Sequence, residues 1–229
     1  QLSDHVVEPC HDCLPWVCKD ELRCTYEDPA FEFLTEKLLG CSGLVFGTPI
    51  YWWDLSAMVK YLILKMFRVF AMTSPANGIP ALGIGIAGGT GNGLATGLKP
   101  LYHFFQMMQM RPLEPVPVTR FNYDACLERS GKLGEELAVA SENRVRFKGR
   151  EESLDVYDKL PYINMSRADE RRLLANLITL ALPEEERKLA ARGLAEADVL
   201  AAEGHSLRSA RKISEVYNHG LKRHSELNS

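Results

Sequence analysis

The sequence predicts an α/β protein in which a parallel β-sheet is covered by helices on both faces. Short apolar runs typical of buried strands alternate with longer segments of helical periodicity, in the order strand, helix, strand, helix. The residues of unusual chemistry follow the predicted strands directly, where open parallel sheets bind their ligands. The last third of the chain, in contrast, predicts helices alone.

The elements of the sheet follow one another through the first 140 residues. Asp28 as N-cap and Pro29 at the first helical position predict a helix start. The continuous apolar run at 44–47 predicts a strand buried on both faces. The other predicted elements are the end of a strand at 2–7, a cysteine-rich loop at 8–25, a helix at 54–70, a strand at 79–87 that runs into a glycine-rich loop, a helix at 99–110, a proline-containing edge strand at 113–120 and a helix at 123–140.

The character of the chain changes after residue 140, where a charged segment at 141–152 reads as a linker or a solvated excursion. Ser166 is a predicted N-cap, and Pro183 followed by three glutamates predicts a further helix start. Gly193 and Gly204 are expected to divide the remainder into short helices. We therefore expect a sheet domain at 1–145 and a helical C-terminal extension at 146–229 that packs on the domain or on a second subunit.

The composition excludes several classes of protein. A net charge of -3 gives no reason to expect nucleic acid or an anionic membrane as a partner. No apolar run approaches the roughly 20 residues that a membrane-spanning helix needs, and the N-terminus shows no signal-peptide pattern. The cysteines are clustered, which argues against a disulfide framework. The cytoplasm is the expected location.

Four of the six cysteines lie in one short loop, separated by two, four and five residues. Thiolates at such close spacing can hold tetrahedral zinc or a [4Fe–4S] cluster. The alternative is a set of reduced, partly buried thiols, which is the ordinary state of intracellular cysteine. The four candidates are Cys10, Cys13, Cys18 and Cys24.

Two further loops carry candidate binding residues. The segment "GTPIYWW" (47–53) places a proline and three aromatics after a buried strand, which suits the wall of a site for a flat conjugated ring or, equally, an apolar interface. The segment "AGGTGNG" (87–93) offers backbone amides that no side chain shields, or it merely reverses the chain. Neither paired carboxylates nor a Ser/His/Asp arrangement supports a hydrolase.

These motifs together resemble the NAD(P)H-dependent FMN reductase and iron–sulfur flavoprotein group of flavodoxin-like proteins. The resemblance rests on "EPCHDC", on "GLVFGTPIYWWDLSAMVK" and on "LYHFFQMMQM", and it covers roughly the first 145 residues. The residues in register with the family's pattern after its third strand are Gly47, Thr48, Pro49, Ile50, Tyr51, Trp52, Ser56 and Lys60.

The resemblance implies a flavodoxin-like fold with FMN bound at the carboxyl ends of the strands and NAD(P)H as co-substrate. It implies that 48–53 line the isoalloxazine ring and that 87–93 offer amides to its pyrimidine edge. The cofactor-binding residues so implied are Thr48, Pro49, Ile50, Tyr51, Trp52, Trp53, Ala87, Gly88, Gly89 and Gly91. In the iron–sulfur branch, a [4Fe–4S] cluster on Cys10, Cys13, Cys18 and Cys24 passes electrons to FMN across a dimer.

The sequence departs from the family at its start. The family's first strand and its phosphate-binding loop are absent, so we expect a segment to precede Gln1. The middle cysteine gap is also longer than the family's, and Trp53 stands where a small residue is usual. The first hypothesis is an FMN-dependent oxidoreductase that passes electrons to a quinone, a flavin or a redox protein, as a homodimer or homotetramer. The alternatives are an iron–sulfur electron carrier and a flavin-less interaction protein.

Overall fold

A five-stranded sheet forms the centre of the computed structural model, which describes residues 1–14 and 16–228. The strands are β1 (Leu44–Tyr51), β2 (Asp54–Leu55), β3 (Pro80–Ile86), β4 (Arg111–Pro112) and β5 (Val116–Val118). Strand β3 is central and pairs in parallel with β1, β4 and β5, whereas β2 folds back antiparallel on the end of β1.

Helices connect the parallel strands, as the alternating pattern predicted. The helices of the first 142 residues are α1 (Cys18–Glu21), α2 (Pro29–Gly40), α3 (Ala57–Phe70), α4 (Lys99–Met107) and α5 (Tyr123–Glu142). Helix α2 begins as expected, because the Asp28 carboxylate accepts a hydrogen bond of 3.0 Å from the Phe31 amide.

Both faces of β3 are covered by helices. Ala81 belongs to the large core cluster that includes Met66 of α3 and Leu101 of α4. Its neighbour Leu82 points to the opposite face and joins a cluster with Leu133 of α5. Successive strand residues thus enter different cores, which explains why the sequence of this strand is apolar throughout rather than alternating.

The C-terminal region is helical, as predicted. It contains α6 (Arg150–Asp158), α7 (Arg167–Leu180), α8 (Glu184–Ala202) and α9 (Ser206–Leu227). Ser166 and Asp169 form a reciprocal capping box at the start of α7. The last three helices share a small core of their own, but Leu174 of α7 belongs to the main core of the sheet domain. The extension therefore packs on the sheet domain of the same chain.

Two local predictions were wrong. Residues 2–7 do not finish a strand, since Leu2–Asp4 form a 3-10 turn beside the start of β1. Gly193 does not end a helix but lies inside α8, where a Cβ would come within 2.9 Å of Val216 Cγ2. This glycine serves close approach of α8 and α9 rather than chain reversal. Among the described residues, no helix is both long and apolar enough to cross a membrane.

Candidate functional site

The aromatic loop after β1 is a tight hairpin turn. Tyr51 pairs with Asp54, so that Trp52 and Trp53 alone make the turn between β1 and β2. Their φ angles are +53° and +61°, both in the left-handed region that two-residue turns of this kind require. Asn and Gly are the usual residues there, and a bulky side chain costs about 1–2 kcal/mol at such a φ. A feature that costs stability in this way suggests a functional reason for the tryptophans.

The turn presents its first tryptophan to solvent. Trp52 is 88% exposed and Tyr51 is 65% exposed. The ring of Trp53 stands edge-on to that of Trp52, with 5.4 Å between the centroids, and is half-buried. An exposed, flat aromatic surface therefore projects from the carboxyl end of β1.

A buried hydroxyl and a partly exposed ion pair hold this turn in place. The Thr48 side chain is buried, and its hydroxyl donates to the carbonyl oxygen of Pro49 at 3.0 Å. Lys60 forms an ion pair with Asp54 at 2.9 Å, which links the hairpin to the first turns of α3. Thr48 thus supports the loop, whereas Pro49, Tyr51 and Trp52 form its exposed face.

The glycine-rich loop after β3 leaves a short run of amides open. Ala87 donates to Val118 and Gly91 donates to Gly88, both at 2.9 Å, so these two amides are engaged inside the protein. The N–H groups of Gly88, Gly89 and Thr90 have no acceptor within the part of the chain that the structure describes, and all three residues are exposed. Such a run of unshielded amides suits carbonyl oxygens and ring nitrogens of a ligand.

The two loops form one surface. A Cβ on Gly93 would lie 2.8 Å from the Cα of Trp53, and one on Gly97 would lie 2.5 Å from Ile50 Cγ2. Only glycine allows this approach, and Gly93 also has a φ of +88°. The predicted meeting of the "GTPIYWW" and "AGGTGNG" loops at the carboxyl end of the sheet is therefore what the structure shows.

The C-terminal extension contacts both loops, a feature that sequence reasoning missed. Glu170 of α7 is buried and accepts hydrogen bonds from the glycine-rich loop, while the Arg167 guanidinium lies 5.5 Å from the centre of the Trp53 ring. The Tyr217 hydroxyl of α9 donates to the carbonyl oxygen of Thr90. Burial raises the pKa of Tyr217. The capping signal at Ser166 marked the start of α7, but no local pattern reveals what Glu170 touches.

The cysteine-rich loop lies elsewhere. The guanidinium of Arg68, in the last turn of α3, donates to the carbonyl oxygen of Cys13 at 3.0 Å, and the Arg68 carbonyl oxygen accepts from the Cys18 thiol at 3.5 Å. The hairpin precedes the first turn of the same helix, whose 14 residues span about 21 Å. All three loops were expected at the same edge of the sheet, because each follows a predicted strand, but only the hairpin and the glycine-rich loop meet there.

The four loop cysteines are not gathered around a common point. All are free and half-buried, and no group of three or more His, Cys, Asp or Glu side chains suitable for a metal ion exists within residues 1–14 and 16–228. The guanidinium of Arg68 contacts the same loop and stacks on Trp16 at 4.5 Å. Cys10, Cys13, Cys18 and Cys24, as arranged here, do not fit a metal cluster.

The site and the fold together define a class of protein. The model of the NADPH-dependent FMN reductase family matches residues 1–118, which is more than half of the 229 residues. The chain therefore belongs to the NADPH-dependent FMN reductase family. This membership and the largely parallel sheet with helices on both faces confirm the predicted flavodoxin-like class, with a helical region added at the C-terminus.

Two individual proteins are similar to parts of this chain. The chain is 29% identical over 112 residues to an iron-sulfur flavoprotein of Methanocaldococcus jannaschii, covering 48% of this chain and 54% of that protein. The chain thus spans about half the length of this curated relative. The crystal structure of an NADPH-quinone reductase from P. pentosaceus aligns with a TM-score of 0.36 at 18% identity, over 54% of this chain and 77% of the other.

The residues present fit an FMN ring better than they fit a metal. The surface between the loops combines an exposed aromatic face at Trp52 with open amides at Gly88 and Gly89, where a Cβ would meet nothing within 4 Å. The amides suit the carbonyl groups of the ring, and the aromatic face suits its plane.

Proposed function

We propose that this chain is a flavin-dependent oxidoreductase that binds FMN between the loops after β1 and β3. The observation that carries the proposal is the Trp52–Trp53 hairpin, held in left-handed geometry beside the open amides of Gly88 and Gly89. Membership of the NADPH-dependent FMN reductase family supports the same function. The predicted binding residues Thr48, Pro49, Ile50, Tyr51, Trp52, Trp53, Ala87, Gly88, Gly89 and Gly91 all belong to these two loops.

The residues of the site would bind and orient rather than transfer protons. Bound FMN would supply the redox chemistry, by which electrons pass from a nicotinamide to an acceptor. Tyr51 and Trp52 offer apolar surface to the plane of the ring, and the amides of Gly88 to Thr90 offer donors to its polar edge. Ile50, buried against Gly97, and Thr48 keep the hairpin in place beneath that surface.

The donor that we propose is NADPH, and the acceptor is a quinone, a flavin or a redox protein. The family's description supports the donor. The acceptor would approach the exposed face of the hairpin, because the opposite side of the site is closed by the contact of the glycine-rich loop with α7. The exposed face of the hairpin is formed by Pro49, Tyr51 and Trp52, whose uncharged side chains suit a neutral, flat acceptor such as a quinone.

The test is reconstitution of the purified chain with FMN, followed by quenching of flavin fluorescence and by NADPH oxidation with a soluble quinone. We expect saturable binding and quinone-dependent turnover. Trp52→Ala should weaken FMN binding, whereas Leu127→Ala, a control on the exposed face of α5, should not. Absence of FMN binding by the folded wild-type chain would overturn the proposal and favour an interaction protein without flavin.

An iron–sulfur electron carrier is a second candidate, and the printed name of the Methanocaldococcus relative favours it. The arrangement of Cys10, Cys13, Cys18 and Cys24 does not support it, because Arg68 contacts their loop and no metal-binding group forms among the described residues. Iron and sulfide analysis after anaerobic purification decides the matter. Close to four irons per chain, lost in Cys18→Ser, would establish the cluster; iron well below one per chain would exclude it.

We also propose that the chain acts as a homodimer through the outer face of α3. Apart from Lys60, Lys65 and Arg68 this helix is apolar, and four of its apolar side chains form an exposed stripe: Met58, Tyr61, Leu64 and Phe67. An exposed apolar stripe of this length is typical of an interface between copies rather than of a free surface. The stripe begins next to the hairpin, so a dimer would shield one side of the flavin site. A stable homodimer in solution is the expected result.

A further inference from the structure

The Glu170 carboxylate fills a nest of backbone amides in the second half of the glycine-rich loop. One oxygen accepts from the Gly93 amide at 2.9 Å. The other accepts from the Ala95 amide at 3.0 Å and from the amide and hydroxyl of Thr96 at 2.7 and 2.8 Å. Glu170 is only 2% exposed. Burial of a carboxylate costs free energy unless the carboxylate is hydrogen-bonded, so these four hydrogen bonds stabilise Glu170 in its buried position.

Two further residues of α7, Leu174 and Arg167, contact the loops. Leu174, one turn after Glu170, packs so closely on Gly91 that a Cβ there would come within 2.8 Å of its Cδ2. Arg167, one turn before, lies over the Trp53 ring. One face of α7 therefore contacts the glycine-rich loop twice and the hairpin once.

The contacts divide the loop into two functional halves. The amides of Gly93, Ala95 and Thr96 point inward to Glu170, whereas those of Gly88, Gly89 and Thr90 remain open. A glycine-rich segment is costly to order, because it loses more conformational freedom than any other sequence. An internal anion that orders one half would hold the other half ready for a ligand.

We propose that Glu170 is a positioning residue for the flavin site: it fixes the inner half of the glycine-rich loop so that the outer amides face FMN. This proposal rests on the proposed function of the two loops. Glu170 lies outside residues 1–118, which the family model matches. The carboxylate that holds the loop therefore comes from the C-terminal extension of this chain and not from the part that matches the family.

The decisive variant is Glu170→Gln, which keeps the size of the side chain but removes its charge. Its carboxamide nitrogen would face one set of amide donors, so the bond to Gly93 or those to Ala95 and Thr96 must break. We expect faster hydrogen exchange of the amides at 93, 95 and 96, an FMN affinity lower by about tenfold or more, and a changed visible circular dichroism of the bound flavin. The matched control is Glu185→Gln, an exposed glutamate of α8 that pairs with Lys188.

Thr96→Ala provides a milder test, because it removes one of the four donors and leaves the backbone intact. It should weaken FMN binding less than Glu170→Gln does, and it decides the question if Glu170→Gln does not fold. Unchanged exchange at 93, 95 and 96 in a folded variant, or unchanged FMN affinity and flavin spectrum, would overturn the proposal. If the wild-type chain binds no FMN at all, the proposed function fails instead, while the exchange data still report whether Glu170 orders the loop.

Discussion

Gly93 and Trp53 meet backbone against backbone, so closely that a Cβ on the glycine would lie 2.8 Å from the tryptophan Cα. This contact joins the loop after β3 to the hairpin after β1. The two loops cannot approach each other more closely, and Gly93 is also held by Glu170 from behind. The candidate site is therefore one surface built from two strand ends and supported by the C-terminal extension.

Gly93→Ala should disrupt both loops. The added methyl collides with backbone and would stand at a φ of +88°, so we expect a loss of about 1–3 kcal/mol of folding free energy and a marked loss of FMN affinity. Chemical denaturation and flavin fluorescence measure the two effects. Gly131→Ala is the control, since a Cβ there meets nothing within 4 Å and the residue lies inside α5. It should leave FMN binding unchanged and add up to about 1 kcal/mol of stability.

Trp52→Asn should separate stability from binding. Asn tolerates the left-handed φ of the turn better than Trp, and the exposed ring contributes little packing, so the free energy of unfolding should rise by up to about 1 kcal/mol. FMN affinity should fall, because the aromatic surface is lost. Denaturation and binding are measured on the same preparation. Equal FMN affinity in the variant and the wild type would remove Trp52 from the site.

Asp28 and Lys65 predict the response of the fold to acid. Burial alone would raise the pKa of Asp28, but hydrogen bonds from Lys65 and from the amides of Phe31 and Glu8 outweigh it and lower this pKa below its ordinary value. The ion pair lies in the core, where each side chain is 3% exposed. A lowered carboxyl pKa gives stability that is complete above about pH 4 and is lost as the pH falls through the folded-state value.

Asp28→Asn should therefore flatten the dependence of stability on pH below about pH 4 and cost about 3–5 kcal/mol near neutral pH, because Lys65 remains buried without its partner. Asn still caps α2, so helix capping does not account for the loss. The same change in the more exposed pair of Asp198 with Arg172 should cost less than about 1 kcal/mol. Urea titrations at several pH values test both, and similar losses for the two variants would contradict the account.

Leu64→Glu should dissociate the proposed dimer. The charge would lie in the middle of the exposed apolar stripe of α3, where a partner copy cannot solvate it. Sedimentation equilibrium should show a dimer for the wild type and a monomer for the variant at the same concentration. Leu127→Glu, on the exposed face of α5, should stay dimeric. A monomeric wild-type chain would refute the proposed interface.

Local sequence signals predicted much of this fold. The apolar run at 44–47, the glycine-rich strand that follows Asn77-Gly78 and the proline-containing edge strand all lie where they were expected, because each signal acts within a few residues. The caps at Asp28 and Ser166 were correct for the same reason. The two loops that meet at the strand ends followed from the parallel topology alone.

The errors and omissions have a common origin in contacts between distant residues. Gly193 was read as a helix end, but its role depends on Val216 of another helix. The Glu170 bonds join positions about 75 residues apart, and nothing near Glu170 in the sequence marks them. The turn at Trp52 and Trp53 was also missed, because tryptophan is so unusual at left-handed positions that the pattern does not suggest a hairpin.

Anaerobic titration of the FMN-loaded chain with NADPH tests the central claim most directly. The account predicts stoichiometric binding of FMN and bleaching of its yellow absorbance by NADPH, with both weakened in Trp52→Ala and neither in Leu127→Ala. A folded chain that leaves FMN fluorescent and unreduced in the presence of NADPH would contradict it.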